Sequence, residues 1–393
     1  MPDRCFSRGR PLTAPAVRSL ADTHDKLAAL ADASRYDLSC ACGGLKEDHR
    51  RRGPAGVWVY PTSVPRGGDS IMLKTLLSSA CAYDCRYCPL RSDRSAPRHT
   101  LAPEELAEAF MGFVRRGGIH GLFLSSGVLR DPDYTMDRML AVMELLRRRH
   151  VYRGFLHLKI IPGASDAAIE RALELANVVS LNVETPTRAA FAPLSGRKDY
   201  DRDIVRPIKL ISRLTAPGGR YARVRQMTQF LVGASDETDE QIVKASFGLY
   251  RRLGLARVYF SAYQRGLGDP AIPGEKRAPA RVEDLLMREH RLYQADFLIR
   301  KYRWDEADIR FEPDGSLSLE TDPKQSWADA HPQFFPVRLR SADRQSLLRV
   351  PGIGPITAGR VLQRRREGVL RDLRDAGLRG ERLRKASPYV VAE

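Results

Sequence analysis

Three thiols fall within eight residues of this chain, Cys81-Ala82-Tyr83-Asp84-Cys85-Arg86-Tyr87-Cys88, directly after a run that reads as a strand. Each thiolate can bind one iron of a [4Fe–4S] cube, and the fourth iron then has no protein ligand nearby in sequence. An iron left open in this way can chelate a small molecule through an amino and a carboxylate group. Two other readings of the spacing stay open. A structural zinc needs four closed ligands and would have to borrow one from Cys40, Cys42 or a histidine. A fully ligated, purely structural cluster would take Cys40 or Cys42 as its fourth ligand. Those two lie in Asp-Leu-Ser-Cys-Ala-Cys-Gly-Gly, where a Cys-x-Cys pair can also supply a thiol for hydrogen-atom transfer or do nothing. Cys5 belongs to a Pro/Arg-rich leader with the composition of a disordered segment. Three of six cysteines gathered in one loop point to metal rather than disulfide.

The elements that must hold this loop come from a chain of 393 residues, 43% hydrophobic, enough for one large domain and a small one. The formal charge is +17, with arginine far outnumbering lysine, and favours a polyanionic partner, nucleic acid first. Residues 337–393 hold fourteen Arg/Lys against six Asp/Glu, about half of that excess, which makes the tail the expected contact surface. No apolar run reaches the roughly 20 residues of a membrane span, and the Arg-rich start lacks the apolar stretch of a signal peptide. The expectation is a soluble cytoplasmic protein.

Leu/Ala spacing predicts one amphipathic helix over 21–36, followed by an Arg-rich loop around 50–56. From 71 onward strands at 71–77, 121–124, 155–161, 178–183, 226–232 and 257–262 alternate with helices at 103–116, 134–149, 166–176, 203–215 and 237–253. Six strands alternating with helices imply an α/β sheet or open barrel with parallel strands. Reactive groups then belong at the strands' C-terminal ends. A longer helix, 281–302, follows a Pro/Gly-rich break. The proline-punctuated stretch 311–336 reads as an ordered connector packed on the barrel, since Trp327, Phe334 and Phe335 are costly to expose. The boundaries expected are an extension with one helix at 1–60, the barrel at 61–302, the connector at 303–336 and a basic helical unit at 337–393.

The cysteine loop resembles the CxxxCxxC signature of the radical SAM superfamily, including an aromatic residue, Tyr87, just before the third cysteine. The resemblance covers about 60–302. It implies a partial (β/α)6 TIM-like barrel, a [4Fe–4S] cluster, and S-adenosylmethionine chelated by the open iron and cleaved reductively to a 5′-deoxyadenosyl radical. It also implies an electron donor such as flavodoxin or ferredoxin. In that superfamily the second strand ends in a GGE-like turn whose backbone holds the cofactor's amino group. The matching place here is Ser125-Ser126-Gly127, which lacks the glutamate, so only a backbone role carries over. The fourth strand commonly contacts the ribose, and period-2 alternation here puts Asn182 and Glu184 on one face, Leu181 and Val183 on the other. Taken alone, Glu184 reads equally as a salt-bridge or helix-cap residue. In strand three His157 and Lys159 alternate with Leu156, Leu158 and Ile160 and point inward, Lys159 either binding the cofactor's carboxylate or pairing with Glu184. Thr-Gln-Phe-Leu-Val-Gly-Ala-Ser-Asp-Glu-Thr resembles the superfamily's GxIxGxxE segment, which supports adenine, with Gly233 at its turn. Strand six puts Tyr259, Ser261 and Tyr263 on one face. Tyr263 either packs or relays a hydrogen atom, and together with Cys40 and Cys42 it is a candidate for quenching a product radical. No residue is singled out as catalytic.

In the tail, Leu-Leu-Arg-Val-Pro-Gly-Ile-Gly-Pro-Ile-Thr-Ala-Gly-Arg-Val-Leu over 347–362 splits into a helix, a Gly352-Ile353-Gly354 hairpin and a second helix opened by Pro355. Two glycines let a backbone approach closely, and free amides at a helix N-terminus bind phosphate without reading bases. Thr357, Arg360 and Arg364 to Arg366 add contacts and salt-dependent attraction. The pattern resembles a helix-hairpin-helix motif, and 370–378 resembles the helix that packs behind one. A domain-capping αα-hairpin with a solvated basic face is the alternative. Barrel, connector motifs and hairpin together resemble DNA modification/repair radical SAM proteins, a family associated with a uracil-DNA-glycosylase-like partner. The expected function is an enzyme acting on DNA, whose target base would have to leave the stack. An RNA-modifying enzyme such as a methylthiotransferase is the nearest rival, with no additional cluster cysteines or recognisable RNA-binding domain to support it. A nucleic-acid-binding protein with a structural or redox-sensing cluster is the contrasting class.

Overall fold

The computed structural model describes residues 22–34, 51–52, 58–63, 69–277 and 281–392. Cys5, Cys40 and Cys42, with the roles weighed for them, lie outside the described residues. Eight strands form one sheet in chain order: β1 (Arg51–Arg52), β2 (Trp58–Ser63), β3 (Asp69–Leu76), β4 (Gly121–Ser125), β5 (Phe155–Lys159), β6 (Val178–Ser180), β7 (Arg225–Val232) and β8 (Arg257–Ala262). The first three pair antiparallel. From β3 to β8 every pairing is parallel, giving a six-stranded curled half-barrel of the α/β class.

The first two strands correct the sequence reading, which placed a loop around 50–56 and the first strand at 71. Pro61 hides β2, because proline has no N–H for a ladder. It pairs with Ile71, and β1 reaches only Trp58 and Val59, so the far side of Pro61 meets no strand among the described residues. β6 is shorter than the expected 178–183. The Thr228 hydroxyl enters the ladder, donating to Leu181 O at 2.7 Å and accepting from Val183 N at 2.9 Å. Pairing resumes only at a bridge between Glu184 and Phe230.

Helices α1 (Thr23–Ala33), α2 (Pro103–Arg115), α3 (Pro132–Glu144), α4 (Asp166–Leu175), α5 (Arg188–Phe191), α6 (Arg206–Leu214), α7 (Asp239–Leu253), α8 (Pro273–Lys276) and α9 (Val282–Phe297) accompany the sheet. Asp131, Ser165 and Thr238 accept from the N–H groups of Tyr134, Ala168 and Gln241 and so start α3, α4 and α7 at fixed residues. Capping there holds the loops after β4, β5 and β7 at one rim. Beneath it Leu122, Leu124, Leu156, Leu158, Val179, Phe230 and Phe260 are buried, each fully buried side chain of this kind contributing about 1.5–3 kcal/mol. α9 runs from that rim, where Glu289 accepts from Ala262 N at 2.7 Å, down to a π-helical turn at Leu298–Tyr302.

Beyond α9 come α10 (Pro323–Ala330), β9 (Val337–Arg338), α11 (Arg344–Arg349), α12 (Pro355–Arg366), α13 (Gly380–Ala386) and β10 (Val390–Val391), the last pairing parallel with β9. Residues 370–378 are turns, not the helix expected from sequence. The Asp375 carboxylate captures the N–H groups of Arg371 and Asp372, and Gly377 takes φ 83°. The Arg349 guanidinium lies 4.2 Å from the Trp304 ring and 4.5 Å from the Trp327 ring, and 2.7 Å from the Asp308 carboxylate. Lys324 donates to Ile353 O at 2.5 Å and lies 4.8 Å from the Tyr302 ring, while Lys385 pairs with Asp322. No helix among the described residues is long and apolar enough to cross a membrane.

Candidate functional site

A cavity of about 1180 Å³, including its open mouth, lies at the C-terminal rim of the half-barrel. Cys81, Cys85 and Cys88 line it together with Tyr87, Ser125, Ser126, Gly127, Lys159, Asn182, Glu184, Ser261 and Tyr263. Gly233 stands outside the lining. It turns the chain with φ 89° and donates its N–H to the Glu237 carboxylate at 2.5 Å, while Leu231 forms the nearby wall. His157 sits in the barrel interior, stacked on Phe123 at 4.1 Å, its Nε2 2.8 Å from the Ser180 hydroxyl.

The cysteine loop is zipped onto the end of β4. Leu77 N donates to Ser125 O at 2.8 Å, Gly127 N to Ser78 O at 2.7 Å, and Ala82 N to Val128 O at 2.7 Å. A Cβ on Gly127 would lie 2.4 Å from Ala80 O, so this close approach admits only glycine. At the loop's exit the Arg98 guanidinium donates to the carbonyls of Ser79, Leu90, Arg91 and Arg94. Burial pushes the Cys88 thiol up to about 12, and the Cys85 thiol also rises. A bound cation would have to displace those protons; what suits a cluster is the donor chemistry itself, three thiols lining one cavity from a single loop. Among the described residues no three His, Cys, Asp or Glu side chains converge to hold a single ion.

Glu184 adopts φ 63°, the left-handed region that costs a non-glycine residue about 1–2 kcal/mol. Its N–H donates to Gln229 O at 3.1 Å and its carbonyl accepts from Leu231 N at 2.8 Å, so β7 holds the strained residue in place. The carboxylate accepts from the Tyr87 phenol at 2.9 Å, joining the residue beside Cys88 to the opposite wall. Burial, then the Glu184 charge, raises the Tyr87 pKa well above the phenol value. Tyr263 donates to Glu275 at 2.5 Å, and burial and that carboxylate raise it as well.

Sequence reasoning missed Lys198. Its buried ammonium donates to the Tyr87 phenol at 3.3 Å and lies close enough to Cys85 to feel its charge, with the rings of Tyr83, Tyr87 and Phe191 at 5.4–6.0 Å. Burial works against its charge, but Cys85, Glu184 and Tyr83 outweigh burial and lift its pKa above the lysine value. Nothing periodic marks Lys198 in Ser-Gly-Arg-Lys-Asp; the one available signal was Asp84, a polar residue between two cysteines.

In the tail, Gly352 has φ 82°, and a Cβ there would lie 2.7 Å from Arg382 O. Gly354 is the N-cap of α12, with Pro355 in the first turn and Ile356 73% exposed. Ile353 N donates back to Val350 O at 3.1 Å. Thr357 is half-buried on the first turn, and Arg360 is exposed, with its guanidinium close to Gly377. Arg364 is engaged with Glu367 at 3.3 Å and Arg365 with Ala342 O at 2.7 Å, while Arg366 is exposed.

The radical SAM superfamily model matches residues 75–246. Similar solved structures include HydG, a maturase of the [FeFe]-hydrogenase, at 15% identity and TM-score 0.44, covering 57% of this chain and 49% of that one. Methylornithine synthase (PylB) is 16% identical with TM-score 0.44, covering 57% and 62% respectively. HydG from Carboxydothermus hydrogenoformans is 16% identical with TM-score 0.45, covering 58% and 51%. The chain thus spans about half to three-fifths of the length of these proteins. No curated protein matches the sequence. The segment that matches the radical SAM superfamily model, residues 75–246, carries the three-cysteine loop and most of the half-barrel, and members of that superfamily use a [4Fe–4S] cluster and S-adenosylmethionine.

Proposed function

We propose that this protein is a radical SAM enzyme that acts on DNA, in repair or modification. The observation that carries the first half is the three-thiol loop lining a cavity at the C-terminal rim of a parallel half-barrel. When bound there, the cluster and S-adenosylmethionine supply a 5′-deoxyadenosyl radical able to abstract hydrogen. Cys81, Cys85 and Cys88 would hold the cluster. An ammonium group needs acceptors, so the carbonyls of the 125–127 turn carry that role, Gly127 N–H being already bonded to Ser78 O. Lys159, Asn182 and Glu184 offer polar groups to the cofactor's carboxylate and ribose, and Leu231 an apolar wall. An electron donor such as flavodoxin or ferredoxin would reduce the cluster.

DNA as substrate is supported by the partly exposed Gly352–Gly354 hairpin ahead of α12, the exposed Arg360 and Arg366, and the tail's charge. Gly352, Gly354 and Thr357 would meet a phosphate, with Arg364 contributing only on leaving Glu367; Ile353, expected from sequence to join them, is buried with its N–H on Val350 O and its carbonyl on Lys324. A uracil-DNA-glycosylase-like partner belongs to this reading by resemblance alone.

Anaerobic reduction of reconstituted protein with dithionite and S-adenosylmethionine, assayed for 5′-deoxyadenosine, tests the chemistry. Product from wild type and none from Cys85→Ala is expected. Its absence from protein with an intact, reduced cluster, with or without DNA present, would favour the binding-protein reading. Deleting 337–393 would uncover Trp327, Tyr302 and Lys324, so charge reversal tests the tail more cleanly. Arg360→Glu with Arg366→Glu should weaken duplex binding and lower its salt slope by about two. Unchanged binding, or preference for RNA, would refute the DNA assignment.

A further inference from the structure

The x positions of the cysteine loop are occupied by a second device. The Asp84 carboxylate accepts from the Ser195 hydroxyl at 2.6 Å, from Gly196 N at 2.8 Å and from Arg197 N at 3.3 Å. In return the Arg197 guanidinium donates to Ala82 O, and Arg86 N donates to Leu194 O at 2.8 Å. A Cβ on Gly196 would stand 3.2 Å from the Asp84 carboxylate, so the grip is close. The next residue is Lys198, 7% exposed, which lines the same cavity as Cys85 and whose ammonium donates to the Tyr87 phenol at 3.3 Å. Two segments more than a hundred residues apart thus fold as one unit, and the product of that folding is a buried cation against the middle cysteine.

Burying an ammonium costs free energy unless its surroundings compensate. Packing alone does not account for it, because a methionine would fill the space among Tyr83, Tyr87 and Phe191 without that cost. A fixed positive charge beside a cluster thiolate favours the more negative, reduced state of the cluster.

We propose that Lys198 is a positioning residue that raises the reduction potential of the cluster through Cys85, and that Asp84 seats it there. The step is a one-electron reduction, the electron coming from dithionite or a low-potential donor protein, with no proton or bond exchanged at Lys198. The proposal rests on the cluster reading above.

The test is spectroelectrochemical titration of reconstituted wild type, Lys198→Gln, Lys198→Arg and Asp84→Ala, with iron content measured on each. At four irons per chain, Lys198→Gln should make reduction about tenfold less favourable, about 59 mV for one electron. Lys198→Arg should restore most of the difference, and Asp84→Ala should lose part of it. A wild-type potential in iron-replete Lys198→Gln would overturn the role of Lys198, and one in Asp84→Ala the role of Asp84. Loss of iron in all three variants, the conservative arginine included, would show a structural requirement and overturn the electrostatic one. Wild type that takes up no cluster would instead defeat the cluster reading itself.

Discussion

Lys324 is the one lysine buried in the seam between connector and tail, 8% exposed, and it predicts a pH-dependent stability. Burial, with Lys385 and Arg349 adding repulsion and Asp322 opposing them, pulls its pKa from 10.5 down to about 7. Between those values the unfolded chain holds a proton on this side chain that the folded chain does not. Stability therefore rises as pH rises through that window, by about 1.4 kcal/mol per unit. Below pH 7 the lysine is charged in both states and its penalty stays constant at its largest. Lys324→Met keeps the stem and removes the charge, at the cost of an unpaired Ile353 carbonyl, about 1–3 kcal/mol. Near pH 7 relief of the burial penalty exceeds that loss, so the variant should be the more stable protein. Its advantage should shrink by about 2–3 kcal/mol by pH 9. Urea unfolding followed by tryptophan fluorescence at pH 7, 8 and 9 measures this, because Trp304 and Trp327 pack beside the seam and report its opening. An offset between the two proteins that stays constant across the three pH values would show that Lys324 does not titrate there.

Gly352→Ala places a side chain at φ 82° and 2.7 Å from Arg382 O; strain of about 1–3 kcal/mol should lower the tail's unfolding midpoint and weaken DNA binding together. Gly127→Ala drives a Cβ to 2.4 Å from Ala80 O and must displace the cysteine loop, so reconstituted iron per chain should fall, whereas Ser126→Ala should retain it. Tyr250→Phe strips the Asp296 carboxylate and Val258 N–H of their phenol partner, and thermal unfolding should report a loss of about 1–3 kcal/mol.

Much of the frame was legible because alternation of short apolar strands with amphipathic helices repeats six times, and each repeat has one economical packing. The cysteine loop was legible from spacing; Asn182 and Glu184, which parity put on one strand face, both line the cavity, but beyond the end of β6 at Ser180 and with Glu184 in left-handed backbone. What escaped depended on single side chains intervening in backbone pairing. Pro61 disguised β2, Thr228 cut β6 short, and Asp375 folded 370–378 into turns. Lys198 escaped for a different reason: its place is set by Asp84 from another part of the chain, and no local pattern encodes a contact spanning 111 residues. The left-handed backbone of Glu184 is equally a product of tertiary support, supplied by Gln229 and Leu231.

α9 has a consequence for the size of any ligand that engages both ends of the molecule. Its Glu289 meets the cavity rim at Ala262, and Tyr302, at the end of the π-helical turn that continues it, abuts Gly354 of the hairpin. At 1.5 Å per residue these levels lie about 20 Å apart. A free nucleotide is far too short to touch both. A duplex needs about six base pairs to cover that span at 3.4 Å each. On the proposed DNA reading α9 would act as a ruler, setting a minimum polymer length below which grip at the hairpin and chemistry at the cavity become separate events.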